Sequence, residues 1–275
     1  MTEPAETKSV LFASSARAES LPAENNVSSG WVEASVRGRW PIESMAPYSY
    51  ACLFAVLEIA LIASGYVDRD ILCDDAFYYF QIARNAALGN GFSFDGLNPT
   101  NGFHPLFAWL CVPIFFAGKT SPWVPVRVAL ALLGLAAAAT AYVLYRLGRV
   151  VADERAGERM ALFFVLSPFA WLLPLRGCEG ALSILCIALS AWQLARLERS
   201  ADITLRGALL FGLLIGMSGL ARTDNLLWGA PALAWLLVRS RSARLTAASA
   251  GAALLVVSPW LAWSAARCGT VLQVS

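Results

Sequence analysis

Residues 105–147, PLFAWLCVPIFFAGKTSPWVPVRVALALLGLAAAATAYVLYRL, decide the fold. They hold one apolar run, 105–118, followed after a short polar link by a second and longer one, 123–147. A helix rises 1.5 Å per residue, so a hydrocarbon core of ~30 Å takes about 20 residues. The second run meets that length. The first is too short, and its length is typical of an interfacial or re-entrant helix.

Working outward, further apolar runs occupy 46–67, 160–175, 180–195, 207–221, 226–238 and 245–264. Hydrophobic residues make up 58% of the 275 positions, charged residues 15%, and mean hydropathy is +0.59, more apolar surface than a soluble core needs. The net charge of +2 comes with no basic block that would track a phosphate backbone, so nucleic acid is not a partner. The links carrying Arg146, Arg149, Arg155 and Arg159, then Arg196, Arg199 and Arg206, then Arg239, Arg241 and Arg244 belong together on the cytoplasmic side by the positive-inside bias. Parity then requires one apolar run between Val67 and Arg146 not to cross, and 105–118 is that run. The prediction is an all-α polytopic membrane helix bundle of about seven spans, with interfacial helices in a first outer loop, 68–122. Residues 1–44, rich in Ala, Ser, Glu and Pro and lacking an apolar run, read as a disordered cytoplasmic tail before the domain 45–275.

This topology leaves 68–104, 176–179, 222–225 and 267–275 on the outer face. The unusual residues lie there: Asp74, Asp75 and His104, Arg176 and Glu179, Arg222 and Asp224. Asp74 and Asp75 open a helical stretch, where carboxylates favour free backbone N–H groups and the positive end of the dipole. That accounts for one aspartate better than for two. On the same helix Asp74, Tyr78, Gln81 and Asn85 form a polar stripe opposite Ala76, Tyr79, Phe80, Ala83 and Ala87. The stripe either hydrogen-bonds a sugar or is a solvated face. Gly89-Asn90-Gly91, Asp95-Gly96, Asn98-Pro99 and Asn101-Gly102 turn the chain repeatedly. His104, the sole histidine, closes this loop as either a structural or a catalytic residue.

Glu58 falls inside the first apolar run, either as a site residue or as a protonated acid bonded to a neighbouring helix. A transporter would need more charge at mid-membrane than Glu58 and Arg127 supply. The six cysteines show no metal spacing, and a Cys73–Cys178 bridge would clamp the two acidic loops together.

The stretch DDAFYYFQIARNAALGNGFSFDG at 74–96, followed by NPTNGFHPLFAW at 98–109, resembles the GT-C superfamily of integral membrane glycosyltransferases, which includes protein mannosyltransferases, aminoarabinose transferases and arabinofuranosyltransferases. The resemblance implies transfer of a sugar from a polyprenyl-phosphate donor to a glycan, lipid or protein acceptor at the outer face of a bacterial inner membrane. It matches Asp74 and Asp75 to the acidic pair of the first loop, and the register against Ile82-Ala83-Arg84 favours Asp75 as catalytic base. Glu179 in LRGCEGAL matches the acid of the second loop, GLARTDN contributes Arg222 and Asp224, and His104 stands where relatives place a polar residue before proline. Asp74 and Glu179 would orient the base or hold a divalent cation, Mg or Mn. Arg176 and Arg222 either bind the leaving phosphate or pair with Glu179 and Asp224. Relatives have further spans, whereas this sequence stops at ARCGTVLQVS, so the alternative is an inactive fragment or a membrane scaffold of the same family.

Overall fold

A computed structural model describes residues 41–65, 71–118, 121 and 123–273. The expected tail falls almost wholly outside these residues, as does part of the first loop. The described residues form ten α-helices and no strand: α1 Pro41–Ala63, α2 Asp74–Ala87, α3 Pro105–Ala117, α4 Trp123–Val151, α5 Glu154–Leu166, α6 Pro168–Leu175, α7 Gly180–Arg199, α8 Leu205–Ala221, α9 Leu226–Ser240 and α10 Ala243–Cys268. A 3-10 turn, Thr223–Asn225, joins α8 to α9. Among the described residues each apolar run of the sequence is helical over most of its length, the run 160–175 being divided between α5 and α6. Helices α4, α7 and α10 are long and apolar enough to cross a membrane, and α5 with α6 adds a fourth crossing if the pair is one bent span.

The bend in that pair is the main local departure from the sequence reading. The run 160–175 is continuously apolar, yet α5 and α6 meet at an angle of 56°. Pro168 at the start of α6 has no N–H to continue the ladder, and its ring forces Ser167 into extended backbone with ψ 127°.

Small residues let the helices approach closely. A Cβ added at Gly212 of α8 would lie 2.0 Å from the Ser249 carbonyl oxygen of α10, and one at Gly148 of α4 would lie 2.6 Å from the Gly157 Cα of α5. Ala136, Ala137 and Ala138 are buried along α4. Glu58 is fully buried beside Gly134, and neither of its carboxyl oxygens has a hydrogen-bond partner among the described residues, so the bond to a neighbouring helix is not made there.

The polar links gather at two ends of the bundle formed from Ser44 onward. At one end Arg199 donates to the Val151 carbonyl, and Arg239 donates to the carbonyls of Glu198 and Ser200 at 3.3 and 3.1 Å. Asp153, Thr204 and Ser242 cap helix N-termini there by accepting from Ala156, Gly207 and Leu245. At the other end the Cys73 N–H donates to the Arg176 carbonyl at 3.1 Å, Asn101 Nδ2 to the Leu272 carbonyl at 2.8 Å, and Arg222 to Glu179 at 2.8 Å. The four segments expected to share a face therefore share one end.

Candidate active site

The site begins with the packing of α2. Its aromatic face is buried: the Tyr79 and Phe80 rings lie 5.3 and 6.5 Å from Phe107 of α3, and Phe80 lies 5.7 Å from Phe115. This fixes the rotation of α2 and leaves Asp74 and Asp75 exposed in its first turn. Cys73 occupies the N-cap, with no side-chain cap bond. Both aspartates lie in the first turn, at the positive end of the helix dipole. Neither carboxylate hydrogen-bonds or pairs with a cation among the described residues.

The rest of the polar stripe serves the loop that follows. Asn85 Nδ2 donates to the carbonyls of Ser93 and Phe94, both at 2.9 Å, Gln81 Nε2 reaches the Phe94 carbonyl at 3.4 Å, and Tyr78 Oη meets Thr100 Oγ1 at 3.0 Å. Gly89, Gly91 and Gly96 hold φ of 89, 73 and 81°, the left-handed backbone the turns require. Asp95 accepts from the N–H groups of Leu97 and Asn98, both at 2.8 Å, and these bonds hold its carboxyl at about 2. Of the stripe, only Asp74 has no bond to the loop.

Glu179, at the N-terminus of α7, forms the centre of the site. Its side chain is 7% exposed and Arg222 Nη1 lies 2.8 Å from Oε1. Arg222 also grips the exposed Asp224 with two bonds of 3.1 Å, Nε to Oδ1 and Nη2 to Oδ2. The bond to Asp224 pushes the Arg222 pKa up, and Arg222 in turn holds the Asp224 carboxyl below its usual range. His104 Nε2 lies 3.7 Å from the same Glu179 oxygen.

The hydrogen-bond network assigns the His104 tautomer. Gln273 Nε2 donates to the Phe103 carbonyl at 2.9 Å and faces His104 Nδ1 at 3.1 Å, while its Oε1 accepts from Thr223 at 3.2 Å. A backbone carbonyl only accepts, so the NH2 side of the amide must face Phe103, and its second proton falls to Nδ1. Nδ1 is therefore the acceptor, and the ring proton sits on Nε2, aimed at Glu179. Burial holds the imidazole below its ordinary range; Arg222 adds to this, while Glu179 and Asp224 pull the other way.

Two members of the site escaped the sequence reading. Tyr79 was placed on the apolar face, correctly for its ring, but its hydroxyl accepts from the His104 N–H at 3.1 Å. Burial and then the Glu179 charge hold that phenol protonated, far above its ordinary value. A buried tyrosine usually finds a polar partner, which is the signal the periodicity hid. Gln273 lies in a segment expected at this face but carried no local cue. Asn101 fastens that segment: it is 2% exposed and donates to Ser264 Oγ at 2.6 Å and to the Leu272 carbonyl.

The two acidic loops meet at the Arg176 backbone. Cys73 and Cys178 are free thiols whose sulfurs lie 3.2 and 3.8 Å from the Arg176 carbonyl oxygen. Burial raises the Cys178 thiol, followed by Cys73 and by the charges of Glu179 and Asp75. The Arg176 guanidinium is exposed and bonds to no described residue. Among the described residues no three His, Cys, Asp or Glu side chains converge to hold a metal ion, and Glu179 already faces a guanidinium. Behind α2, an apolar cavity of about 380 Å³ is lined by Phe77, Phe80, Phe94, Phe115, Trp123 and Arg84, on the far side of the helix from Asp75.

The family model described as dolichyl-phosphate-mannose-protein mannosyltransferase matches residues 103–263. The matched region contains His104, Arg176, Glu179, Arg222 and Asp224 and begins after Asp74 and Asp75. No match was found among curated proteins or among solved structures.

Proposed function

The chain belongs to the dolichyl-phosphate-mannose-protein mannosyltransferase family, and from that premise we propose that it moves a sugar from a polyprenyl-phosphate donor to an acceptor hydroxyl, with Asp75 as general base. It is an integral membrane glycosyltransferase of the GT-C type. The Arg-rich end of the bundle is cytoplasmic by the positive-inside bias, which directs the acidic end outward.

One observation carries the assignment of the base. At this end of the bundle Glu179 and Asp224 are committed to Arg222, whereas Asp74 and Asp75 are exposed and unpaired among the described residues, and the register against Ile82-Ala83-Arg84 favours Asp75 of the two. A general base must be free to take a proton at hydrogen-bond distance. Asp75 removes the proton from the acceptor hydroxyl as its oxygen attacks the anomeric carbon. The bond from that carbon to the phosphate oxygen breaks, and the polyprenyl phosphate leaves with the electron pair. The free guanidinium of Arg176 suits that phosphate better than Arg222, which is already held by two carboxylates. His104 presents Nε2–H, a donor, to substrate oxygens beside Glu179. The expected divalent cation does not fit Asp74 and Glu179 as they stand, and no step passes through one.

The test is transfer of labelled sugar from a polyprenyl-phosphate donor in membranes carrying the chain or its Asp75→Asn variant. The variant is expected to insert normally and to lose about 10²- to 10⁴-fold in rate. Transfer at the parental rate by a folded Asp75→Asn chain refutes the assignment.

A further inference from the structure

The two loops that carry the acidic residues meet beside a pair of cysteines, each immediately preceding one of those residues. Cys73 precedes Asp74 and Asp75, and Cys178 precedes Glu179. The thiols are 105 positions apart in the chain, yet both sulfurs converge on one acceptor, the Arg176 carbonyl, at 3.2 and 3.8 Å. The same oxygen also accepts the Cys73 backbone N–H at 3.1 Å. Gly177, between Arg176 and Cys178, holds φ 74°, and a Cβ there would lie 2.8 Å from Ala76 and 2.9 Å from Leu72. The backbone can turn Cys178 back toward Cys73 only because that position carries no side chain. Both thiols are partly exposed, whereas Cys111 and Cys186 are buried.

We propose that Cys73 and Cys178 are a redox-active dithiol that closes to a disulfide, locking the Asp75 loop to the Glu179 loop. Closure breaks two S–H bonds and makes one S–S bond. The two electrons and the two protons pass by thiol–disulfide exchange to a disulfide-bearing oxidant, which leaves as two thiols. Both sulfurs converge on one carbonyl oxygen across a junction tied by a backbone hydrogen bond, which holds the two thiols at the same point of contact between the loops. The bridge would add a covalent link between the acidic loops to a junction held by one backbone hydrogen bond and two weak S–H contacts.

The test needs no sugar transfer, so it can fail or succeed independently of the transferase assignment. The full chain is purified in detergent, exposed to oxidised glutathione, alkylated and digested, and its peptides are analysed by mass spectrometry. The expected product is a peptide pair linked through Cys73 and Cys178, released by dithiothreitol and absent from Cys73→Ser and Cys178→Ser. The oxidised chain is also expected to unfold about 10 °C higher than the reduced one, as a cross-link closing a loop of this length stabilises. The shift should vanish in either serine variant. Full alkylation of both thiols after oxidation of the folded chain overturns the proposal, and so does a linkage of either one to a different cysteine.

Discussion

Arg222 touches two carboxylates whose surroundings differ, and that difference sets the outcome of removing it. The Glu179 side chain is 7% exposed and the Asp224 side chain 56%. Breaking a fully buried ion pair costs about 3–5 kcal/mol because the remaining charge is left unsolvated. Arg222 itself is 40% exposed, so water screens part of its bond to Glu179. The coupling then falls to that of a charge-assisted hydrogen bond, about 1.5–3 kcal/mol. The Asp224 bonds, although two in number, lie in water and are worth about 0.2–1 kcal/mol. Arg222→Gln is accordingly expected to lower the unfolding temperature of the purified protein by on the order of 5 °C. Two double-mutant cycles separate the contributions, one pairing Arg222→Gln with Glu179→Gln and one pairing it with Asp224→Asn. The Glu179 cycle should show the larger coupling by about 1 kcal/mol or more. An Asp224 coupling equal to or above the Glu179 coupling would refute the argument from burial.

His104 is the sole histidine, so ¹⁵N-histidine labelling reports on it alone; its Nδ1 should give the signal of an unprotonated nitrogen, and Gln273→Ala should mix the two tautomers. Its imidazole is held below 6.5 by burial, so the unfolded chain binds more protons as pH falls through 6.5, and the stability His104 confers, present above that pH, should be lost below it. His104→Gln should flatten the dependence of unfolding temperature on pH in that window, and an unchanged profile would count against a buried imidazole. Glu58 is buried with no partner for either oxygen, so Glu58→Met should leave stability unchanged or raise it by about 1–3 kcal/mol; a fall in unfolding temperature would show that the carboxyl is held by something. Gly212→Leu should abolish the α8–α10 contact, where a Cβ already meets a carbonyl oxygen at 2.0 Å, whereas Gly251→Ala, with open space around it, should be neutral or gain up to about 1 kcal/mol; size-exclusion chromatography and thermal unfolding of both variants would check the contrast.

Much of the architecture was legible in the sequence because it depends on local properties. Apolar runs of a given length form helices wherever they lie in a membrane chain, and among the described residues each run is helical over most of its length. The glycines at 89, 91 and 96 marked left-handed turns because no other residue adopts them at so little cost. Arginine placement separated the two ends of the bundle, and the segments assigned to one end do meet there. The break at Ser167-Pro168 was written in the dipeptide, but the continuous apolar run on either side concealed it.

The composition of the site was decided by tertiary structure. Periodicity shows that α2 has an apolar face and a polar face, but not what each face meets. The polar face bonds its own loop through Gln81 and Asn85, while Tyr79, on the apolar face, carries a hydroxyl to His104. Arg222 and Glu179 are 43 positions apart, His104 and Gln273 are 169 apart, and Cys73 and Arg176 are 103 apart. No local spacing encodes such pairs, since which helix ends come together depends on how buried faces interlock along the whole bundle. The residue types that could form a site were visible in the sequence, and the packing of the helices selected which of them do.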